Sequence, residues 1–178
     1  PSFAVEGNEV RWQKWRFRIS FNPREGLVLH TVTYADQGRE RPVLHRASVV
    51  EMVVPYADPH PMRFWINYFD EGEYGLGQLA SSLTLGCDCV GHIEYFDGVV
   101  NDNDGGAVVL TNAICMHEED AGIGWKHMDF RTEATQVRRR RRLVISTVGT
   151  VGNYEYGYFW YLYNDGTIEY EIKLTGVI

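Results

Sequence analysis

Polar and apolar positions alternate along much of the chain with a period of two. Over 9–20, Glu-Val-Arg-Trp-Gln-Lys-Trp-Arg-Phe-Arg-Ile-Ser, charged residues interleave with apolar and aromatic ones. Val10, Trp12, Arg16 and Arg18 and their neighbours suit one strand with a wet face. Asn22-Pro23-Arg24-Glu25-Gly26 reads as a turn. Further strands are predicted over Leu27–Tyr34 and Pro42–Val54, then near 92–100, 107–115, 139–151, 154–163 and 167–174. Asn164-Asp165-Gly166 between the last two is a strong hairpin signal. The glycine-rich stretch 71–77 reads as irregular. No segment keeps a helical period beyond about three turns. The pattern predicts an all-β chain with neither internal repeat nor linker.

The segment 154–163 departs from simple alternation. One face carries Tyr154, Tyr156, Tyr158, Trp160 and Leu162, and the other Glu155, Gly157, Phe159, Tyr161 and Tyr163. Both faces are largely aromatic, so cover is expected on both sides. A chain of this size is not expected to supply all of that cover alone.

Composition narrows the class. The 178 residues are 44% hydrophobic, enough for one globular domain with a sizeable core. The net charge of −7 argues against a nucleic-acid partner. No apolar run approaches the roughly 20 residues of a membrane helix, so a soluble chain without a membrane partner is expected. Neither a signal peptide nor an initiating Met opens the sequence, which suggests a piece of something longer. The compartment stays open between cytoplasmic and secreted or periplasmic.

Several clusters invite chemistry. Cys87-Asp88-Cys89 and Cys115-Met116-His117 offer four soft ligands, but the spacing is a weak zinc signal. The plainer reading is one disulfide and one buried thiol. Asn101-Asp102-Asn103-Asp104-Gly105-Gly106 resembles part of a calcium loop without its closing Glu. Arg138 to Arg142 lead straight into an apolar strand, and the acidic surplus favours ion pairing over phosphate binding. The six histidines form no His-x-His pair and no HExxH. Tyr68-Phe69-Asp70-Glu71-Gly72-Glu73-Tyr74 sets three carboxylates among aromatics. A carboxylate buried there would have a raised pKa suited to general-base work; the plainer alternative is an acidic turn.

Thr150-Val151-Gly152-Asn153-Tyr154-Glu155-Tyr156 resembles the Thr-x-x-Asn-Tyr-Asp/Glu signature of the copper-containing amine oxidases. Val54-Pro55-Tyr56-Ala57-Asp58-Pro59 is similar to that family's Val-Pro-Tyr-x-Asp-Pro segment, and 67–74 to its catalytic-base segment. Segments 85–89, 114–120 and 165–176 also resemble it, in order and spacing, across essentially the whole chain.

The resemblance implies part of the family's large antiparallel β-sandwich catalytic domain, and a homodimeric primary-amine oxidase acting with O2. Tyr154 would be the precursor of topaquinone, and Asn153 would restrain the quinone ring. Asp70 would be the general base, and Tyr56 would hydrogen-bond a cofactor oxygen. Tyr68 would gate the substrate channel and Tyr74 line it. Cys89 and Cys115 would form the family disulfide. The family's copper-binding histidines follow the quinone tyrosine in a His-x-His pair and a later histidine. No histidine here matches them, so no metal site is expected within this chain. Residues 1–178 are accordingly expected to be the N-terminal part of the catalytic domain, without the preceding small domains or the copper-ligand half, and inactive alone. A non-catalytic β-sandwich binding module or truncated orphan is the alternative.

Overall fold

A computed structural model describes residues 1–177, and the all-β expectation holds. Five strands form an antiparallel meander: β1 (Ala4–Glu6), β2 (Glu9–Trp12), β3 (Trp15–Asn22), β4 (Gly26–Asp36) and β5 (Arg39–Ala47). A second five-stranded sheet has the order β12-β11-β10-β9-β8. Its strands are β8 (Glu94–Asn101), β9 (Ala107–Met128), β10 (Thr135–Val151), β11 (Tyr154–Tyr163) and β12 (Ile168–Gly176). Between the two sheets in sequence lie a short pair, β6 (Val54–Pro55) and β7 (Asn67–Tyr68), and one helical turn, α1 (Asp70–Tyr74).

The sheets face each other across one core. Val10, Trp12, Trp15, Phe17, Ile19, Leu27, Leu29 and Val32 meet Phe96, Ile114, Met116, Leu143, Ile145 and Leu162. Burial of this apolar surface is the main force holding the layers together. Both buried indoles reach across it: Trp15 Nε1 donates to the Tyr163 carbonyl at 2.7 Å, and Trp12 Nε1 to Glu118 Oε1 at 2.8 Å.

The expected single strand over 9–20 is two strands. Trp12 and Trp15 are three residues apart, so one straight strand would send them to opposite faces. A turn at Gln13, with φ +54°, pairs Trp12 with Trp15 and brings both inside. The strand predicted over 42–54 instead spans Arg39–Ala47, because the turn at Gln37 and Gly38 sets Asp36 opposite Arg39. β9 and β10 run well beyond the sheet as a two-stranded arm, pairing as far as Met128 with Thr135. The stretch 71–77 opens with α1, so it is not wholly irregular.

β11 is covered on both faces, as expected, with a different kind of cover on each. Tyr156, Tyr158 and Leu162 are buried on one side and Tyr161 and Tyr163 on the other. The second side is roofed by ions: Arg142 lies over Tyr161 at 4.1 Å, Arg140 over Tyr163 at 3.8 Å and Lys173 over Phe159 at 3.9 Å. The Tyr161 and Tyr163 hydroxyls donate to Glu171 and Glu169 at 2.5 and 2.6 Å. The arginine run ion-pairs as expected. Arg139 meets Asp120, Arg140 meets Asp165, Arg141 meets Glu118 and Arg142 meets Glu119.

Cys89 and Cys115 form a disulfide, which removes two of the four ligands of the zinc reading. Cys87 is a free thiol on the surface, not the buried one expected. In the loop at 101–106, Asp102 Oδ1 accepts the amides of Asp104 and Gly106 at 3.0 and 2.7 Å, so this carboxylate is engaged in shaping its own turn.

Candidate active site

The site is assembled where the β6–β7 pair and α1 lie against β10 and β11. Pairing of Val54 with Tyr68 and of Pro55 with Asn67 brings Tyr56 beside Tyr68. Their rings meet edge to face, with centroids 5.2 Å apart. Two residues after Tyr68 the chain enters α1, which presents Asp70 and Glu71 to the second sheet. Period two along β11 puts Tyr154, Tyr156 and Tyr158 on one face toward them.

Asp70 is half-buried and accepts two phenols. Tyr156 donates to its Oδ2 at 2.6 Å and Tyr56 to its Oδ1 at 3.4 Å. Burial, then the bond to Asp70, pushes the Tyr156 hydroxyl above its ordinary range. Tyr56 is also pushed up, first by desolvation, then by the charge of Asp70 and the neighbouring Tyr154 hydroxyl. Tyr56, Asp70 and Tyr154 therefore share one neighbourhood. A cavity of about 370 Å³ opens beside it, lined by Tyr56, Asp58, Arg63, Ile66, Tyr68 and Asp70. Arg63 Nε and Asp58 Oδ2 pair at 2.7 Å on its wall.

Glu71 points the other way, into the interior, where it is fully buried. Its Oε2 accepts the Tyr158 hydroxyl. Burial pushes its carboxyl up to about 7, against the lowering effect of that hydrogen bond. Of the two readings of this stretch, the buried carboxylate with a raised pKa is found at Glu71, which faces the interior and not the cavity.

Other predicted residues sit at the margin. Tyr154 is about half exposed, its ring 6.4 Å from that of Tyr156. Asn153 and Tyr154 line a second cleft with Leu174, Thr175, Gly176 and Val177, and the Asn153 carbonyl accepts the Val177 amide at 2.9 Å. Tyr74 is not brought to the cluster. It lies in a separate polar cleft with Arg24, Glu73, Gln78 and Asp102.

A half-buried carboxylate that faces an open cavity and is oriented by two phenols can accept a proton from a bound ligand. Residues 4–178 match the family profile described as copper amine oxidase, enzyme domain. The chain belongs to the copper amine oxidase family.

Relatives within that family are close. A histamine oxidase from Arthrobacter globiformis is 57% identical over 178 residues, covering 100% of this chain and 26% of that protein. A peroxisomal N-methylputrescine oxidase from Nicotiana tabacum is 55% identical over 179 residues, covering 100% of this chain and 23% of that protein. The crystal structure of a copper-containing benzylamine oxidase from Hansenula polymorpha superimposes with a TM-score of 0.89 at 38% identity, over 100% of this chain and 28% of that one. The chain thus spans about a quarter of the length of the curated relatives it matches.

Membership of the copper amine oxidases implies copper and topaquinone as the family's cofactors. Tyr154, the residue the resemblance would make the quinone precursor, has the Tyr56 hydroxyl beside it, a donor that suits a quinone oxygen. Copper finds no comparable fit: among the described residues no three His, Cys, Asp or Glu side chains come together as a metal site. No helix of the described residues is long and apolar enough to cross a membrane.

The pairing of Tyr156 and the inward turn of Glu71 carry no local sign in the sequence. Tyr156 lies on the face that alternation gives it, but a tyrosine in an aromatic strand carries no sign that its hydroxyl will meet a carboxylate. Glu71 was one of three acidic residues in a row of turn-like composition. Only the direction in which α1 winds separates its inward side chain from the exposed Glu73.

Proposed function

We propose that this chain contributes part of the active site of a primary-amine oxidase that converts a primary amine, O2 and water to an aldehyde, ammonia and hydrogen peroxide. The observation that supports the reading is the position of Tyr56, which meets Asp70 on one side, neighbours Tyr154 on another, and lines a cavity together with Asp70. In this reading Asp70 takes the proton from the carbon next to the amine nitrogen. Tyr156 and Tyr56 hold the two oxygens of that carboxylate, so its position is set before substrate arrives. Topaquinone formed from Tyr154 would supply the electrophilic carbonyl and the electron sink. The Tyr56 hydroxyl would keep the ring oriented, and Asn153 would pack beside it. Tyr68, edge-on to Tyr56, would stand between the cavity and the ring and exclude water from the reacting atoms. Tyr74 would line the outer channel once the rest of the protein closes over it.

Residues 1–178 would be the N-terminal part of the catalytic domain. Small preceding domains, the copper ligands and the second subunit of a homodimer would be supplied by the full-length protein. The test uses the longest natural polypeptide containing this segment, loaded with copper in air and titrated with phenylhydrazine. A coloured adduct mapped by peptide mass to the Tyr154 peptide is the expected result. No adduct with copper bound would overturn the reading.

A further inference from the structure

We propose that Glu71 is a positioning residue for Asp70, its buried side chain acting as the peg that clamps the strained turn of α1 onto β10 and β11. The inference rests on the amine oxidase reading of Asp70.

The turn has little to hold it locally. α1 is five residues long, and its N-cap residue, Phe69, offers no side-chain hydrogen bond. A helix this short is not stable by itself. Asp70 has φ +23°, in the region that disfavours residues with a side chain, and such backbone persists only where its surroundings determine it.

Tertiary contacts supply that determination from several sides. A Cβ placed at Gly149 of β10 would lie 1.7 Å from Glu71 Oε1, so the carboxyl fills the space that any side chain at 149 would need. Tyr158 of β11 donates to the other oxygen. On the far side, a Cβ at Gly72 would lie 1.7 Å from Glu51 Oε1, and one at Gly75 would lie 2.6 Å from the Pro23 carbonyl. α1 is therefore wedged, with Glu71 as its inward part. Tyr156 and Tyr158, neighbours on one face of β11, hold Asp70 and Glu71, neighbours in sequence. Any shift of the Glu71 backbone carries Asp70 with it.

Glu71 Oε1 has no hydrogen-bond partner among the described residues. An uncharged carboxyl suits such a pocket, in keeping with the effect of burial. Its role is then to fill and to hold, for which an amide of the same shape should serve.

The test uses the full-length enzyme. Wild type is first titrated with phenylhydrazine and mixed with benzylamine without oxygen; no titre or no bleaching of quinone absorbance would sink the amine oxidase reading itself. With wild type active, Glu71→Ala, Glu71→Gln and Tyr158→Phe are compared. Glu71→Ala should keep its phenylhydrazine titre and KM while kcat falls about 10- to 100-fold with α-deuterated amine more sharply discriminated. Glu71→Gln should recover most of that loss. At pH 5 the infrared difference spectrum of wild type minus Glu71→Gln should carry the band of a protonated carboxyl, and Asp70→Asn should retain it; no such band would overturn the uncharged peg. Wild-type kcat in Glu71→Ala, or Glu71→Gln as slow as Glu71→Ala, would overturn the proposal. Should Glu71→Ala fail to fold, Tyr158→Phe decides: a reduced kcat with unchanged titre supports the clamp, and a wild-type kcat overturns it.

Discussion

The Tyr156 hydroxyl donates to Asp70 Oδ2 across 2.6 Å, tying the proposed base to the strand that begins with the proposed cofactor residue. Tyr156 lies two positions after Tyr154 on the same face of the strand, so this bond fixes the carboxylate and the ring in one frame. Tyr156→Phe should cost about 1 kcal/mol of stability, since Asp70 is half-buried and water can replace the lost donor. In the full-length enzyme it should slow the proton-transfer step while leaving the phenylhydrazine titre unchanged. Anaerobic stopped-flow with benzylamine reads both quantities, and an unchanged rate would remove Tyr156 from the frame.

Asp70→Asn keeps the shape of the side chain and removes the base. Its amide still accepts one phenol, so the fold should survive. Turnover of the full-length variant should fall by at least about 10²-fold, in keeping with loss of a positioned general base. Quinone formation and phenylhydrazine binding should persist. Near-normal turnover would assign the proton transfer to another group.

Tyr154→Phe deletes one half-exposed hydroxyl, which is expected to change stability by no more than about 0.5 kcal/mol. It should nonetheless abolish every trace of quinone absorbance in the copper-loaded, aerated full-length protein. Quinone surviving the change would clear Tyr154 as the precursor.

The isolated 178-residue chain should make no quinone when given copper and air, because its described residues offer no three-ligand metal site. Redox-cycling stain and absorbance spectra of the fragment check this. A quinone on the Tyr154 peptide would mean that copper finds ligands within the fragment after all.

Much of the architecture was legible because strand formation leaves a short-range signature. The Asn164-Asp165-Gly166 turn joins two strands paired from Tyr154 with Gly176 to Leu162 with Ile168. The arginine run paired with carboxylates for the reason its charge surplus implied. What stayed hidden was set by three-dimensional neighbours. Gln13 is an unremarkable residue in an alternating segment, and its turn exists because Trp12 and Trp15 must share one core. At the proposed site, the resemblance singles out Asp70 and Tyr56, whereas the space left at Gly149 depends on which acidic side chain of α1 turns inward.

Glu71 also gives a prediction on pH. Its ordinary value is 4.5, and burial raises it to about 7 in the folded protein. The folded state therefore holds this proton more tightly than the unfolded state. Its contribution to stability is full below about 4.5, declines as pH rises from there to about 7, and is lost above. Facing it are Tyr156 and Tyr158 from β11, Tyr170 from β12, Glu155, and Asp70 on its own turn, with Glu51 beyond Gly72. The acids among them disfavour its ionisation, and the phenols stay neutral through this range. Glu71→Gln has no proton to lose, so the difference in stability between variant and wild type should grow by on the order of 2–3 kcal/mol from pH 5 to pH 8. In thermal melts of the full-length protein, the wild-type Tm should drop against that of Glu71→Gln over this interval. Parallel curves would mean that Glu71 is already ionised at pH 5 in the folded state, and that the interior around Tyr158 accommodates a charge.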